Sequence, residues 1–363
     1  MADIPKRVAL VYDRVNKWGG AERVLLALHE IFPQAPLYTA VYNPETAQWA
    51  KVFPQVISSF LQYFPKAKSH HELYPWLTPL AFESLNLDQY EAVISITSAD
   101  AKGVITKPST FHLCYCLTPT RYLWSHQDYY KSQTSSILHP IFSYLKSWDL
   151  IASRRPDTYI TISQTVQNRV SSYYHQPSSI VYPPVDVDRF TPTAGGEYFL
   201  SVGRMVGYKQ PETLVNLFNE LNLPLIMIGA GNQKNRLRPK PNIKLLGFAS
   251  ETELVSLFQN AKALISVHEE DFGIVYAEAQ AAGKPVLALN TGGVKEVITH
   301  DQTGYLAKDL DDLKSAIINF DHRQFNHLAI KQSADRFSKE RFKSEFVKVF
   351  RQEWIRYNHT YSS

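Results

Sequence analysis

Hydrophobic and polar positions along the chain follow two patterns. One is a short continuous apolar run, read as a buried strand, and the other a longer stretch with helical apolar spacing. Val8–Tyr12, 36–41, 92–97, 111–117 and 158–163 are runs of the first kind, with polar or Gly/Pro-containing turns after them. Helical spacing marks 21–28, and 164–172 follows Ser163 as its N-cap. Consecutive prolines at Pro183 and Pro184 stiffen the chain and interrupt regular structure, which places a linker within 178–190. The pattern then restarts: strands at 198–202, 225–228, 243–246, 263–267 and 285–289, with helices between them, one of them running from Pro211 to about Glu220. In 338–357, Phe342, Phe346, Val349, Phe350 and Trp354 are spaced for one apolar face, and this last helix is expected to cross back onto the first domain.

Repeated β–α alternation predicts parallel sheets covered on both faces. The expected fold class is α/β with two domains. An N-terminal, Rossmann-like domain takes residues 1–186 together with the helix 338–363, and a second β/α domain takes 187–337. A length of 363 residues is enough for two cores.

Composition changes this picture little. With 44% hydrophobic and 20% charged residues the chain reads as an ordinary globular protein. A net charge of +4 does not suggest nucleic acid, and fits an anionic small ligand or membrane surface only weakly. Cys114 and Cys116 lie two apart in a strand, on one face, so a disulfide is not expected and a reducing compartment is. Metal binding would need more ligands than this pair offers. No run is long enough for a signal peptide or a membrane span, so a cytoplasmic protein is expected.

Candidate chemistry concentrates in His268-Glu269-Glu270-Asp271-Phe272-Gly273-Ile274, between a strand and a helix that contains Glu278 and ends at Gly283. Acidic residues near a helix N-terminus are favoured by its dipole, which is the structural explanation for Glu269, Glu270 and Asp271. It does not cover Glu278. Carboxylates at the carboxyl end of a strand suit a ligand rich in hydroxyl groups, such as a sugar. Beyond another strand, Gly203-Arg204 and Lys209 offer two cations able to clamp a diphosphate, although a solvated turn has the same composition. Gly229-Ala230-Gly231 lacks the third glycine of a dinucleotide fingerprint, Lys234 standing in its place, and reads as a tight turn close to a nucleotide. Gly247 and Phe248, after a strand, are placed to meet a base. In the first half, Gly19 and Gly20 precede a helix in the layout of a phosphate-binding turn, a pattern that is more often a plain turn.

Taken together, Gly203-Arg204 with Lys209, Gly247 after a strand, and Glu270-x7-Glu278 followed by Ala279, Gly283, Pro285 and Val286 resemble the family 4 retaining glycosyltransferases of the GT-B fold. Trp18-Gly19-Gly20-Ala21-Glu22 and Cys116-Leu117-Thr118-Pro119-Thr120-Arg121 are similar to the mannosyltransferase-like subgroup of O-antigen and exopolysaccharide biosynthesis. The resemblance implies two Rossmann-like domains across a cleft and a hexosyltransferase that uses a nucleotide sugar, with GDP-mannose the expected donor. It implies a glycan or lipid-linked acceptor, no cofactor and no metal. Glu270 would bind the transferred sugar, Glu278 the ribose, and Arg204 and Lys209 the diphosphate, helped by backbone at Gly20 and Phe272-Gly273. Gly19, Arg121, Gly247, Phe248 and Ile274 complete the implied substrate-binding set.

One position departs from that subgroup, because Leu117 stands where a histidine is usual and can neither donate nor accept a hydrogen bond. His112 and His126 are the nearby candidates to replace it. A UDP-sugar transferase of the same fold and a non-catalytic nucleotide-sugar binder are the alternatives. Finally, 60–71 interleaves aromatics with Lys66 and Lys68, as in an interfacial segment or the polar end of an ordinary packed helix, and suggests peripheral contact with the inner face of the plasma membrane.

Overall fold

The computed structural model describes residues 4–135 and 139–361. The first residues of the expected N-terminal domain and the last two of the expected 338–363 helix lie outside the described residues. The chain divides into two compact units, 1–182 with 342–363, and 183–341.

The first unit holds a seven-stranded sheet, every pairing of it parallel. Its strands are β1 (Val8–Tyr12), β2 (Leu37–Thr39), β3 (Val56–Ser58), β4 (Ala92–Thr97), β5 (Phe111–Cys116), β6 (Thr158–Thr161) and β7 (Ser179–Ile180). The spatial order is β3-β2-β1-β4-β5-β6-β7. Strands buried on both faces read as continuous apolar runs, which is why β1, β4 and β5 are legible to within a residue. Ser163 caps the helix Gln164–Tyr174 by accepting from the backbone of Val166 at 3.1 Å. Cys114 and Cys116 are buried free thiols on β5.

Two expectations for this unit need correction. The linker was placed within 178–190, but Ser179–Ile180 in that range pairs with β6 as an edge strand. A two-residue edge strand has no periodicity to read. The segment 60–71 is not an ordinary helix; it forms a short 3₁₀ turn at Phe60–Tyr63, and Lys66 has φ +59.

The helix Lys339–Tyr361 supplies a second layer to this unit. Phe342, Phe346 and Phe350 are buried, with Phe342 against Tyr115 at 5.8 Å and Phe350 against Phe32 at 5.3 Å and Phe111 at 5.8 Å. Each such ring contributes about 1.5–3 kcal/mol by leaving water, which explains how so distant a segment is held.

The second unit has six parallel strands: β8 (Tyr198–Val202), β9 (Leu225–Ile228), β10 (Ile243–Leu246), β11 (Ala261–Ser266), β12 (Val286–Leu289) and β13 (Gly304–Ala307). Their order is β10-β9-β8-β11-β12-β13, so the winding reverses between β8 and β11. Helices Pro211–Leu221 and Leu310–Ile318 bury Leu214, Val215, Phe218, Leu313 and Ile317 against Phe199, Ile265 and Leu287 of the sheet.

Candidate active site in the second unit

In an open parallel sheet, the crevice beyond the carboxyl ends of the strands at the reversal point is the usual ligand site. Here β8 delivers Gly203, Arg204 and Lys209 to that point, and β11 delivers His268 to Gly273. A narrow depression is lined by Ser201, Gly203, Arg204, Lys209 and His268.

The two loops are joined by charge. The Lys209 ammonium donates to Oε1 of Glu270, and His268 Nε2 lies 2.9 Å from the same oxygen. Burial alone would raise the Glu270 pKa, but the Lys209 cation and the His268 hydrogen bond outweigh it and hold the carboxyl well below its ordinary range. Glu270 is further fixed through its backbone, whose carbonyl accepts from Gly293 N at 2.8 Å. Arg204 is exposed and donates to the Tyr208 hydroxyl at 2.5 Å.

The helix begins at Ile274, so Glu269, Glu270 and Asp271 precede its first turn and do not cap it. Gly273 enters the helix at φ +88, and a Cβ there would lie 2.2 Å from the Tyr276 ring. Only glycine fits both demands. The Tyr276 hydroxyl reaches Ser266 Oγ at 3.0 Å, tying the helix to the end of β11. Phe272 packs its side chain on Phe337 at 5.1 Å and is buried, leaving its backbone for any ligand contact, while Ile274 is half-buried.

Glu278 lies within this helix and is buried. Its Oε1 accepts from Arg189 at 2.5 Å, and Arg189 also pairs with Glu251. Arg189 went unread in the sequence because it follows the two prolines in a segment assigned to the linker. His268 was also missed as a partner of Glu270, although a histidine two residues before an acid at a strand end is a readable signal.

Gly229 and Gly231 also pack against the Arg204 loop. A Cβ on Gly229, at φ +151, would lie 1.9 Å from the Gly203 carbonyl, and one on Gly231 2.1 Å from that of Met205. Both glycines therefore seat the Arg204 loop on the end of β9. Backbone hydrogen bonds from Gly203 N to Ile228 O and from Met205 N to Ala230 O, each 2.9 Å, complete the seat. Gly247 follows β10, and Phe248 beside it is 89% exposed.

The first unit contains the other named residues. Gly19 is the extended N-cap of the helix Gly20–Ile31, and the Glu22 carboxylate accepts from Tyr12 OH at 2.8 Å. Burial raises the Glu22 pKa, against the hydrogen bonds of Tyr12 and of the Glu22 and Gly19 backbones. The N-terminal turn thus already carries an acid of its own. Arg121 is half-buried in the turn after Thr120, and Leu117 directly follows β5 with its N–H bonded to Thr97 O at 2.8 Å. His112 is no substitute for a histidine at 117: it is fully buried within β5, with Nε2 2.9 Å from Ser95 Oγ. His126 is half-buried beside Ser125.

Among the described residues, no group of three or more His, Cys, Asp or Glu side chains is placed to hold a metal ion. No helix among them is long and apolar enough to cross a membrane.

Two doubly wound parallel α/β units with a charged reversal point define the GT-B class of fold. Anabaena Alr3699/HepE, solved with UDP and glucose, superposes with a TM-score of 0.67 over 94% of this chain and 99% of its own, at 16% identity. Residues 187–339 match the family model of the glycosyl transferases group 1. An uncharacterized glycosyltransferase of Methanocaldococcus jannaschii is 25% identical over 198 residues, 52% of this chain and 56% of the relative. The Xenopus laevis GDP-Man:Man(3)GlcNAc(2)-PP-Dol alpha-1,2-mannosyltransferase is 31% identical over 210 residues, 47% of this chain and 43% of that protein. The chain thus spans about half the length of the curated relatives it matches.

Proposed function

We propose that the protein is a retaining glycosyltransferase that moves a hexose from a nucleoside-diphosphate sugar to a hydroxyl of a glycan or lipid-linked saccharide. The observation that carries this reading is the Lys209–Glu270–His268 cluster at the reversal point, beside Arg204. Arg204 and Lys209 neutralise the diphosphate as it leaves. Glu270, kept ionised by its neighbours, accepts hydrogen bonds from hydroxyls of the transferred sugar. Glu278, oriented by Arg189, binds the ribose. Gly247 and Phe248 meet the base, and backbone at Phe272 and Gly273 meets the phosphates.

The acceptor oxygen bonds to the anomeric carbon on the face from which the phosphate departs. The bond from that carbon to the phosphate oxygen breaks, and the acceptor proton passes to the departing phosphate. The proposed chemistry uses no metal, and turnover should survive EDTA. On the first unit, Gly19, Gly20 and Arg121 serve phosphate and acceptor.

GDP-mannose is the proposed donor, in line with the Xenopus mannosyltransferase, whereas the complex of Anabaena HepE with UDP and glucose favours a UDP-sugar. A thermal-shift panel of GDP, UDP, ADP and their sugars tests the reading, since a ligand at 100 times its Kd stabilises by about 2.7 kcal/mol. No shift with any of them overturns it. Leu117 favours a second reading, a nucleotide-sugar binder without turnover; a labelled donor that binds and is neither transferred nor hydrolysed would establish it.

The working location is the cytoplasm, with peripheral contact at the inner membrane face through 60–71. Tyr63 is 87% exposed there, and Lys66 and Lys68 are exposed beside it. Lys66→Glu/Lys68→Glu should abolish binding to anionic liposomes, and unchanged binding refutes the contact.

A further inference from the structure

The parallel strands β9 and β10 end level with each other, Ile228 opposite Leu246, and each is followed by a glycine. After β9 the chain folds back through Gly231, with Gln233 N bonded to Met205 O at 3.0 Å, into a 3₁₀ turn at Lys234–Arg236. This turn brings Lys234 over the end of β10. A Cβ built on Gly247 would meet one atom alone, Lys234 Nζ at 3.4 Å, so the space above Gly247 is open except for that ammonium.

Lys234 is half-buried, and among the described residues its ammonium has neither a carboxylate partner nor a hydrogen-bond acceptor. Phe248, next in the chain after Gly247, is 89% exposed, although a large aromatic ring normally gains by leaving water. A cation without an acceptor, an open floor at Gly247 and a bare aromatic ring complement a flat heteroaromatic group that presents a carbonyl oxygen. The Arg204 loop is locked onto the same β9 turn by Gly229 and Gly231, so the phosphate-binding cations and Lys234 form one seat.

We propose that Lys234 selects the nucleobase of the donor. It accepts bases that carry an oxo group at the recognised edge and disfavours those that carry an amino group there. Uracil and guanine present acceptors, O4 and O6, where cytosine and adenine present amino donors. A lysine ammonium can only donate, so it is satisfied by the first pair and opposed by the second. The inference rests on the nucleotide-sugar reading of this site and narrows its donor to uridine, thymidine or guanosine diphosphate sugars.

Titration calorimetry of the full chain with UDP, CDP, GDP and ADP tests it, because each oxo base is paired with an amino base of the same ring size. The unmodified protein should prefer UDP over CDP, or GDP over ADP, by about tenfold or more. In Lys234→Met, with an unchanged melting temperature, the ratio should fall towards one through weaker binding of the oxo nucleotide alone. Lys234→Glu should invert it. A preference that persists in Lys234→Met overturns the inference, as does an equal loss for all four nucleotides, which would make Lys234 a phosphate contact. If no nucleotide binds the unmodified protein, the nucleotide-sugar reading falls first; if they bind without discrimination, that reading stands and only the role of Lys234 falls.

Discussion

Lys209 and Glu270 are 61 residues apart in sequence, and the ammonium of one donates to the carboxylate of the other at the point where the second sheet reverses its winding. The pair joins the loop after β8 to the loop after β11. With His268 on the same oxygen, Glu270 has its charge, its orientation and both lone pairs of Oε1 committed before any ligand arrives, leaving Oε2 for hydroxyl donors. A carboxylate held in this way is pre-organised for hydroxyl donors and poorly suited to act as a base, since its affinity for a proton is so low.

Glu270→Ala should lower transfer by roughly 10²–10³-fold or more, the scale set by removal of a pre-organised transition-state contact. The fold should survive. Because the folded-state pKa is depressed, the carboxylate's contribution to stability is complete above about pH 4.5 and is lost progressively as pH falls from there through the depressed folded value. Transfer rates and melting curves on the purified variant check both points, and near-normal transfer would refute the assigned role.

Gly229→Ala should disable the site from beneath it. The positive φ and the 1.9 Å approach to the Gly203 carbonyl force the Arg204 loop to move. Strain of this kind costs about 1–3 kcal/mol, and UDP or GDP binding should fall with it. Gly247→Ala is the contrast: its Cβ meets only the flexible tip of Lys234, so stability should hardly change. Urea unfolding of the two variants should separate them, and equal losses would contradict the packing argument.

Sequence reading recovered the strands where burial leaves an uninterrupted apolar run, as at β1 and β9. It missed β3, β7 and β13, which are short or carry polar and glycine positions. Lys209 and Glu270 were both nominated, yet nothing in the sequence could pair them, because the contact depends on β8 and β11 being neighbours. Gly229 and Gly231 were visible as a tight turn, but their close approach to backbone 203–205 was not, because it depends on β8 and β9 being neighbours. The Arg189–Glu278 pair was hidden because its arginine lies in a segment whose prolines announce only a break.

Lys102 and Asp149 are both fully buried in the first unit, and the ammonium donates to Oδ1 at 2.5 Å. Asp149 also accepts from Thr120 Oγ1, Trp124 Nε1 and Tyr174 OH at 2.7–2.8 Å. Burial alone would lower the Lys102 pKa, but Asp149 outweighs it and the ammonium is held above its ordinary value. Lys102→Met leaves a buried carboxylate without its cation and should cost about 3–5 kcal/mol. Lys102→Met/Asp149→Asn should recover part of that loss, since the amide oxygen still accepts while the uncompensated charge is gone. Urea denaturation of the two variants decides it; a double variant no more stable than Lys102→Met would contradict the account.

Asp100 offers the reverse case. Its carboxylate is buried, neither oxygen receives a hydrogen bond, and Arg14 is 3.7 Å away. Burial raises its pKa, Arg14 and Lys102 oppose, and Asp13 and Asp149 add to the rise, so the value reaches about 6 from an ordinary 3.8. The folded protein therefore holds this proton more tightly than the unfolded chain. The resulting stability is complete below about pH 3.8 and is lost as pH rises through about 6. The gap corresponds to about 3 kcal/mol at most. Asp100→Asn, which mimics the protonated form, should be more stable than the unmodified protein at pH 8 by up to that amount and nearly equal at pH 4. His112, pushed down to about 3 by burial, contributes with the opposite slope, gaining as pH rises towards 6.5, but it is common to both proteins and cancels in the difference. Urea unfolding at the two pH values measures that difference directly. A difference that is the same at pH 4 and pH 8 would show that ionisation of Asp100 is not its source.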